Sequence, residues 1–340
     1  MTQRTLRTAL VILALVTLAA PAFAQAGSPS PAAIEKALQD AYSKYKNLDE
    51  GANADYIPAL AEVDSSIFGI AIVTTDGKVY TVGDTSSEVS IQSISKVFTM
   101  AKVIEESGTD IIKDTMGVDA TGMPFNAIEP IEWFKGSEMN AMVNPGAITA
   151  TSMVKGSNYD EIWNSILDYY NDFAGRKLTV LEDVYKSEAA TNQRNQALAE
   201  LMFAYGKIKE EPARATDIYT RQCSVGVNAK DLAMMAATLA NGGTNPVTGK
   251  VLMDHENVPE VLAVMATAGL YDDSGQWLYA TGLPAKSGVG GGILAVSPGL
   301  FGIAAISPPL DTAGNSIRAR KAIEDITAAL DANPYDVEPK

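Results

Sequence analysis

Histidine and cysteine are nearly missing from this sequence: its 340 residues include one of each, His255 and Cys223. A zinc site built from several histidine and cysteine ligands is therefore excluded, and one cysteine cannot form a disulfide within the chain. A Ser-His-Asp triad would depend on His255 alone. His255 lies in the polar stretch 253–257, which is typical of a surface loop or a helix start. Acid–base chemistry is therefore expected from lysine, tyrosine, glutamate or aspartate.

Positive charge is also scarce. The chain has 26 Lys and Arg against 41 Asp and Glu, a formal net charge of −15 and a pI of about 4.5. Because phosphate binding requires clustered Lys and Arg, we expect no nucleic-acid partner, and an anionic membrane surface is equally disfavoured. A content of 46% hydrophobic and 20% charged residues is that of a globular protein. A small substrate in a local pocket is compatible with all of this.

The longest apolar run lies at the N-terminus. Arg4 and Arg7 precede the apolar run 9–20, and the small-residue motif Ala22-Phe23-Ala24 follows it. This order is typical of a secretory signal peptide, and the run is shorter than the roughly 20 residues that cross a bilayer. We therefore expect residues 1–24 to be removed and the mature chain to be exported to a bacterial periplasm. We expect no membrane association after removal of the signal.

The rest of the chain divides into strands near both ends and helices between them. Residues 25–31 are predicted to be a flexible leader, and a helical pattern covers 32–45. Residues 67–73 and 79–82 flank an Asp-Gly pair, which predicts a β-hairpin. The first of these strands is apolar on both faces, so helices are expected on both sides of its sheet.

Residues 93–260 show mostly helical periodicity. Residues 292–296 and 300–306 are predicted to be strands, and residues 317–330 are predicted to be a helix. This order predicts an α/β (α+β) fold, in which both chain ends contribute to one antiparallel sheet covered by helices. The expected bounds are 32–98 with 261–330 for a discontinuous sheet domain, 99–260 for an inserted helical domain, and 331–340 for a loose tail.

A Ser-x-x-Lys motif, Ser93 to Lys96, opens the helical region. On a helix, the i, i+3 spacing places the two side chains on one face, about 5–6 Å apart at Cβ. A buried lysine with a lowered pKa can then accept the serine proton. Lys286-Ser287-Gly288 opens the late strands, and together the two motifs form the pattern of penicillin-recognising serine enzymes. The backbone N–H groups near Val289 and at Ser93 would then form an oxyanion hole.

Further short segments match one family in the right order. They are 54–60 (ADYIPAL), 92–96 (QSISK), 142–148 (MVNPGAI), 187–188 (SE), 194–195 (RN), Tyr219 with 223–224 (CS), 235–243 (MAATLANGG), 269–272 (GLYD), 274–276 (SGQ), 282–289 (GLPAKSGV) and 307–311 (SPPLD). Over nearly the whole mature chain, the sequence resembles the serine-dependent, β-lactamase-like glutaminases of bacteria and mitochondria. It departs from many members at Ala141, where they have proline, and at Pro145, where they have alanine.

The resemblance implies a β-lactamase/transpeptidase-like fold and hydrolysis of the side-chain amide of L-glutamine to L-glutamate and ammonia, without metal or organic cofactor. It implies Ser93 as nucleophile, Lys96 as its activating base and Tyr271 as a proton relay to the departing ammonia. The family commonly self-associates, so a homodimer or homotetramer is expected. The residues implied to hold substrate are Tyr56, Gln92, Ser93, Asn144, Glu188, Asn195, Tyr219, Tyr271 and Val289.

The chemistry of glutamine agrees with these assignments. Its α-ammonium needs an acidic partner, for which Glu188 is suited, and amide or phenol groups of Asn144, Asn195 and Tyr219 can donate to its α-carboxylate. Two rivals remain, a penicillin-binding or β-lactamase-type serine hydrolase and a non-catalytic glutamine binder. The sequence also leaves open whether Lys96 or Tyr271 is the working base.

Overall fold

The structure, a computed structural model, describes residues 28–336. Its main sheet has five strands in the order β2-β1-β7-β6-β5, and every neighbouring pair is antiparallel. β3 and β4 form a separate two-stranded sheet. The bounds are β1 (Gly69–Thr74), β2 (Val79–Gly83), β3 (Val89–Ser90), β4 (Gly226–Val227), β5 (Ala285–Gly288), β6 (Gly292–Ser297) and β7 (Phe301–Ile306). The predicted sheet built from both ends of the chain is confirmed.

The β1–β2 hairpin forms at the predicted Asp-Gly turn. Gly77 has a φ of +83°, a left-handed conformation that glycine adopts without steric cost. Its N–H donates to the carbonyl of Thr74 at 2.9 Å, and Val73 pairs with Val79 across the turn. The strands therefore lie within two residues of their predicted bounds.

The helices account for most of the remaining chain. Their bounds are α1 (Pro31–Tyr45), α2 (Pro58–Ala61), α3 (Ser95–Ser107), α4 (Asp110–Met116), α5 (Glu129–Phe134), α6 (Asn144–Met153), α7 (Tyr159–Ala174), α8 (Glu182–Thr191), α9 (Gln193–Ala204), α10 (Pro212–Cys223), α11 (Ala229–Ala240), α12 (Val258–Ala268), α13 (Ser274–Thr281) and α14 (Ile317–Ala329). None of these helices within residues 28–336 has the length and apolarity needed to cross a membrane.

The first helix begins one residue before its predicted start. The Ser30 side chain caps it by accepting from the N–H of Ala33 at 3.2 Å, and Pro31 occupies the first turn, where no N–H is needed. Residues 28–31, the last part of the predicted flexible leader, therefore include the cap and the first residue of α1. Residues 25–27 and the predicted signal peptide, 1–24, lie outside the described residues.

Both faces of the main sheet are covered by helices, as the doubly apolar first strand predicts. Ile70 and Ile72 of β1 pack in a core with α1 and α14, whereas Ala71 and Val73 face a larger core that includes α11. Contact between α11 and the sheet is closest at Gly302 of β7, where a Cβ would lie 2.1 Å from the backbone nitrogen of Ala237. Only glycine fits this position without displacing the helix.

Two observations bear on the predicted division into domains, which stays a prediction. α11 lies within the segment predicted as an inserted helical domain, yet it packs against β1, β6 and β7. At the other end, the predicted tail begins with residues that belong to the folded core. Ala332 is buried among residues of the α1–α14 layer, and its N–H donates to the carbonyl of Thr327 at 3.1 Å. The last four residues, 337–340, lie outside the described part.

Candidate active site

Ser93 lies in a tight turn that connects β3 to α3. The turn, Gln92–Ile94, is a 3-10 helix that runs directly into α3, so Ser93 precedes the α-helix on which its motif was predicted to begin. Gln92 has a φ of +48°, a conformation that costs a non-glycine residue about 1–3 kcal/mol. The backbone of β5 presses against the turn, because a Cβ on Gly288 would lie 2.7 Å from the carbonyl oxygen of Ile91. This packing holds the strained turn and fixes Ser93 beside the end of β5.

Lys96 is on the first turn of α3 and is 1% exposed. Its Nζ donates to Asn144 Oδ1 at 2.7 Å and to the carbonyl of Met142 at 3.3 Å. Burial lowers the pKa of Lys96 to about 8, because the charged amine loses its hydration. Within the described residues, no hydrogen bond joins Lys96 to Ser93. The two hydrogen bonds that Lys96 Nζ makes go to a backbone oxygen and to an amide oxygen.

Tyr271 is the second predicted catalytic residue beside Ser93. Its φ is +52°, and its hydroxyl donates to the carbonyl of Ser287 at 3.4 Å. Burial raises the pKa of Tyr271, while contacts with the hydroxyls of Ser93 and Ser287 act in the other direction. Nζ of Lys286 lies 4.2 Å from the centre of the Tyr271 ring. The phenol is thus a neutral group held against the predicted nucleophile.

Lys286, which the sequence singled out only as part of a motif, is completely buried. Its Nζ donates to the carbonyls of Gly269 and Ser287 at 2.7 and 2.8 Å. Burial, followed by repulsion from Lys96, lowers the pKa of Lys286 well below its usual value. A second buried amine with a lowered pKa therefore lies against the ring of Tyr271.

A cavity of about 280 Å³ opens beside Ser93. Eight of the nine residues predicted to hold substrate line it; they are Tyr56, Gln92, Ser93, Asn144, Glu188, Asn195, Tyr219 and Val289. The ninth, Tyr271, lines a neighbouring cavity of about 190 Å³. Lys96 is absent from the lining of either cavity and reaches the first through its hydrogen bond to Asn144. The structure therefore brings the predicted residues together around one small space.

The cavity has one acidic wall and one neutral polar wall. Glu188, on α8, is 6% exposed and accepts from Gln92 Nε2 at 3.2 Å. Burial raises the pKa of Glu188 to about 7, with the Gln92 hydrogen bond and the charge of Lys96 opposing that rise. Elsewhere, Asn144 Nδ2 donates to Asn195 Oδ1 at 2.9 Å, and the Tyr219 hydroxyl donates to Asn144 Oδ1 at 3.3 Å.

This arrangement suits a ligand with one positive charge and several hydrogen-bond acceptors. A buried carboxylate has lost its hydration, so a cationic group of the ligand that pairs with it stabilises its charged form. Within residues 28–336, no three His, Cys, Asp or Glu side chains are grouped as a metal site would require.

Comparison with known proteins identifies the family. The family model described as Glutaminase matches residues 51–335. The glutaminase of Colwellia psychrerythraea (strain 34H) is 55% identical over 310 residues, which cover 91% of this chain and 100% of that protein. The glutaminase of Mycobacterium ulcerans (strain Agy99) is 49% identical, covering 91% and 97%. The chain belongs to the glutaminase family.

Solved structures agree with this membership. The probable glutaminase ybaS is 43% identical and has a TM-score of 0.89, with 91% of this chain and 100% of that one covered. A probable glutaminase from Bacillus subtilis, solved in complex with 6-diazo-5-oxo-L-norleucine, is 27% identical with a TM-score of 0.79, covering 89% and 96%. The chain is accordingly an amidohydrolase with the β-lactamase-like fold of the glutaminases.

Several residues of this glutaminase cavity were not predicted as site residues. The additional lining residues are Ile57, Phe125, Asn126, Thr191, Asn192 and Arg194. Arg194 could have been found, since it adjoins Asn195 in a matched segment, and its Nε donates to the carbonyl of Asn126 at 2.8 Å. Phe125 and Asn126 lie in an irregular stretch between α4 and α5, where no periodicity or motif points to a site.

Two residues that composition made conspicuous have no place in the cavity lining of this glutaminase. The side chain of His255 is 80% exposed and pairs with Asp254 at 3.1 Å. Cys223 is buried, with its Sγ 3.7 Å from Ser95 Oγ. Burial raises the pKa of the Cys223 thiol to about 12, so it is a neutral packing group behind the site.

Proposed function

We propose that this enzyme hydrolyses the side-chain amide of L-glutamine to L-glutamate and ammonia through a glutamyl ester on Ser93. The observation that carries the proposal is the cavity itself, in which Ser93 lies between a buried carboxylate and a cluster of neutral amide and phenol groups. Glutamine is a zwitterion at its α-carbon, so Glu188 would pair with its ammonium. Asn195 and Tyr219 would donate to its carboxylate.

Lys96 is suited to activate Ser93 when it is neutral. A neutral amine has two N–H bonds and one lone pair, and Asn144 Oδ1 and the Met142 carbonyl account for both N–H bonds. The lone pair is then the part of the amine left to accept a proton. Tyr271, which contacts Ser93, is the alternative: as a neutral phenol it would take the serine proton while passing its own proton toward Lys286.

The reaction would take place in two steps that balance. In the first, the Ser93 hydroxyl proton passes to the base, Oγ bonds to the amide carbon, and the carbon–nitrogen bond breaks as Tyr271 supplies a proton to the departing ammonia. Tyr271 then recovers its proton from the base. In the second step, water gives one proton to the base as its oxygen bonds to the same carbon, and Oγ takes that proton as its bond to the carbon breaks, which leaves the γ-carboxyl of glutamate to ionise into solvent. Backbone N–H groups at Ser93 and Val289 would stabilise the negative oxygen in both steps.

The ligand of the Bacillus subtilis relative supports this substrate. 6-Diazo-5-oxo-L-norleucine is an L-amino acid with a diazoketone where glutamine has its amide, so it combines the same zwitterion with an electrophilic carbon. A cavity of about 280 Å³ is of a size to hold one amino acid of this kind.

The test is Ser93→Ala in an ammonia-release assay with L-glutamine. We expect turnover to be abolished while calorimetry still detects binding of L-glutamate, because only the hydroxyl is removed and the acidic and neutral polar walls of the cavity remain. Wild-type turnover by the variant would refute Ser93 as nucleophile. Parallel assays with nitrocefin test the rival β-lactamase-type activity, and glutamine binding by the wild type without ammonia release would support the non-catalytic rival.

Export and self-association belong to the same proposal. A basic and apolar N-terminus ending in Ala22-Phe23-Ala24 supports removal of residues 1–24 and export to the periplasm. Mass spectrometry of the mature protein should find Gln25 at its N-terminus. Sedimentation of the purified enzyme should give a homodimer or homotetramer, and a monomer would contradict that part.

A further inference from the structure

The second cavity, which Tyr271 lines, opens to solvent on its own. Its volume is about 190 Å³, enough for several water molecules. Gly122, Asp272 and Gly275 lie on its rim and are exposed. The substrate cavity opens elsewhere, at the exposed residues Tyr56 and Arg194. The enzyme therefore has two openings near Ser93, with different sets of residues around them.

The two cavities meet at a pair of aromatic rings. Phe125 lines both cavities, and its ring centre lies 4.9 Å from that of Tyr271, at an interplanar angle of 43°. Tyr271 contacts Ser93 on one side and lines the second cavity on the other. The separation between the nucleophile and the second cavity is therefore one layer of side chains.

If Ser93 carries the glutamyl ester of the proposed function, ammonia and water need a second opening to Ser93 while the ester is present. Glu188 and Asn195, which would hold the α-groups, are on the same two helices as the rim residues Thr191 and Arg194. A bound glutamyl group therefore lies between Ser93 and the opening of the substrate cavity. Ammonia formed at Ser93 would have to pass the glutamyl group to leave by that opening, and the hydrolytic water would have to pass it to enter.

We propose that the second cavity is the passage by which ammonia leaves and water enters while the glutamyl ester occupies the substrate cavity. Its ligands are small neutral molecules, namely ammonia, water and short primary amines. An amine that enters in place of water would attack the ester carbon through its nitrogen, lose one proton to the base, release Ser93 Oγ with a proton, and yield a γ-glutamyl amide.

Gly275 allows the passage to be narrowed from outside the catalytic residues. It lies on α13, and a Cβ placed on it would meet no atom within 4 Å. Gly275→Trp should therefore fill the cavity without a backbone clash. Gly275→Ala is the matched small substitution, and Ala280→Trp places the same bulk on an exposed position of the same helix.

The experiment measures kcat and KM for glutamine, and the yield of γ-glutamyl products with hydroxylamine and with butylamine. Since release of product limits many enzymes, Gly275→Trp should lower kcat about tenfold. It should also reduce the butylamine product more than the hydroxylamine product, whereas both control variants should match the wild type. The rate at which 6-diazo-5-oxo-L-norleucine labels Ser93 should not change, because that reagent enters through the substrate cavity.

Three outcomes would overturn the proposal. The first is that Gly275→Trp has the same kcat for glutamine as Gly275→Ala. The second is that the ratio of butylamine to hydroxylamine product stays unchanged. The third is that labelling of Ser93 slows in parallel with turnover, which would show that the substitution impairs the nucleophile itself. If Gly275→Trp does not fold, the same measurements are made on Thr267→Trp, which narrows the same cavity from α12. Failure of the proposed function is recognised separately, by wild-type turnover of Ser93→Ala.

Discussion

Glu188→Gln is the substitution that examines recognition of the substrate ammonium most directly. The Glu188 side chain is 6% exposed, and Gln92 Nε2 is its hydrogen-bond donor at 3.2 Å. Glutamine at this position keeps the size of the side chain and an oxygen that can accept from Gln92. The change therefore removes a charge from the cavity with little change of shape.

The magnitude of the effect follows from the environment of the carboxylate. Its pKa rises from 4.5 to about 7 on burial, which corresponds to about 3 kcal/mol of unfavourable charge burial at about 1.4 kcal/mol per pKa unit. A bound ammonium offsets this cost, and truncation of one partner of a buried charge pair costs about 2–5 kcal/mol. We therefore expect Glu188→Gln to lower kcat/KM for glutamine about a hundredfold, since each 1.4 kcal/mol is a factor of ten.

The assay is ammonia release with glutamine and with glutaramate, which has the same amide and carboxylate but no α-ammonium. Wild-type enzyme should favour glutamine strongly, and Glu188→Gln should largely lose that preference. The pH profile supplies a second measurement. Glu188 must be ionised to bind the ammonium, so wild-type kcat/KM should fall more steeply with decreasing pH below 7 than kcat/KM of the variant, which lacks this ionisation. Equal losses for both substrates would refute the ammonium-binding role of Glu188.

Two further predictions concern the base and the fold. Lys96 must be neutral to accept a proton, and burial lowers its pKa to about 8, although the charge of Glu188 opposes this shift. The pKa of Lys96 in Glu188→Gln should therefore lie below 8, so kcat/KM of this variant should rise about tenfold per pH unit at low pH and level off before pH 8. A flat profile from pH 6 to 9 would contradict Lys96 as the base. Gly302→Ala should lower the free energy of unfolding by about 1–3 kcal/mol, because the new Cβ would meet the backbone of α11 at Ala237 and overpack the interface. Urea denaturation measures this change, and an unchanged midpoint would contradict the close contact.

The sequence predicted those structural elements that are determined by residues close together in the chain. The Asp-Gly turn before Lys78 specifies a hairpin through the φ that Gly77 adopts. Apolar residues on both faces of β1 predict helices on both faces of the sheet. The candidate site residues were predicted from the motif Ser93 to Lys96 and from the family resemblance, and their roles stay predictions. The structure places eight of the nine predicted substrate residues around one cavity.

Features that depend on tertiary contacts could not be predicted in the same way. The 3-10 turn at Ser93 exists because β5 packs against it near Gly288, almost two hundred residues later in the chain. The direction of the Lys96 amine is set by the positions of Asn144 and Met142, which no spacing rule connects to it. Phe125 enters the site from an irregular segment, where hydrophobic periodicity carries no information.

The strand order of the main sheet bears on how the chain can be made. β7 is the last strand of the described residues to leave the ribosome, yet it occupies the middle of the sheet, where Gly69 pairs with Ile306. A nascent polypeptide that has β1 and β2 but not β7 holds only a hairpin, which is marginally stable in water. Pairing across so long a loop is intrinsically slow. The main sheet can therefore be completed only after residue 306 has been synthesised, and until then β1 and β2 lack their partner in the middle of the sheet.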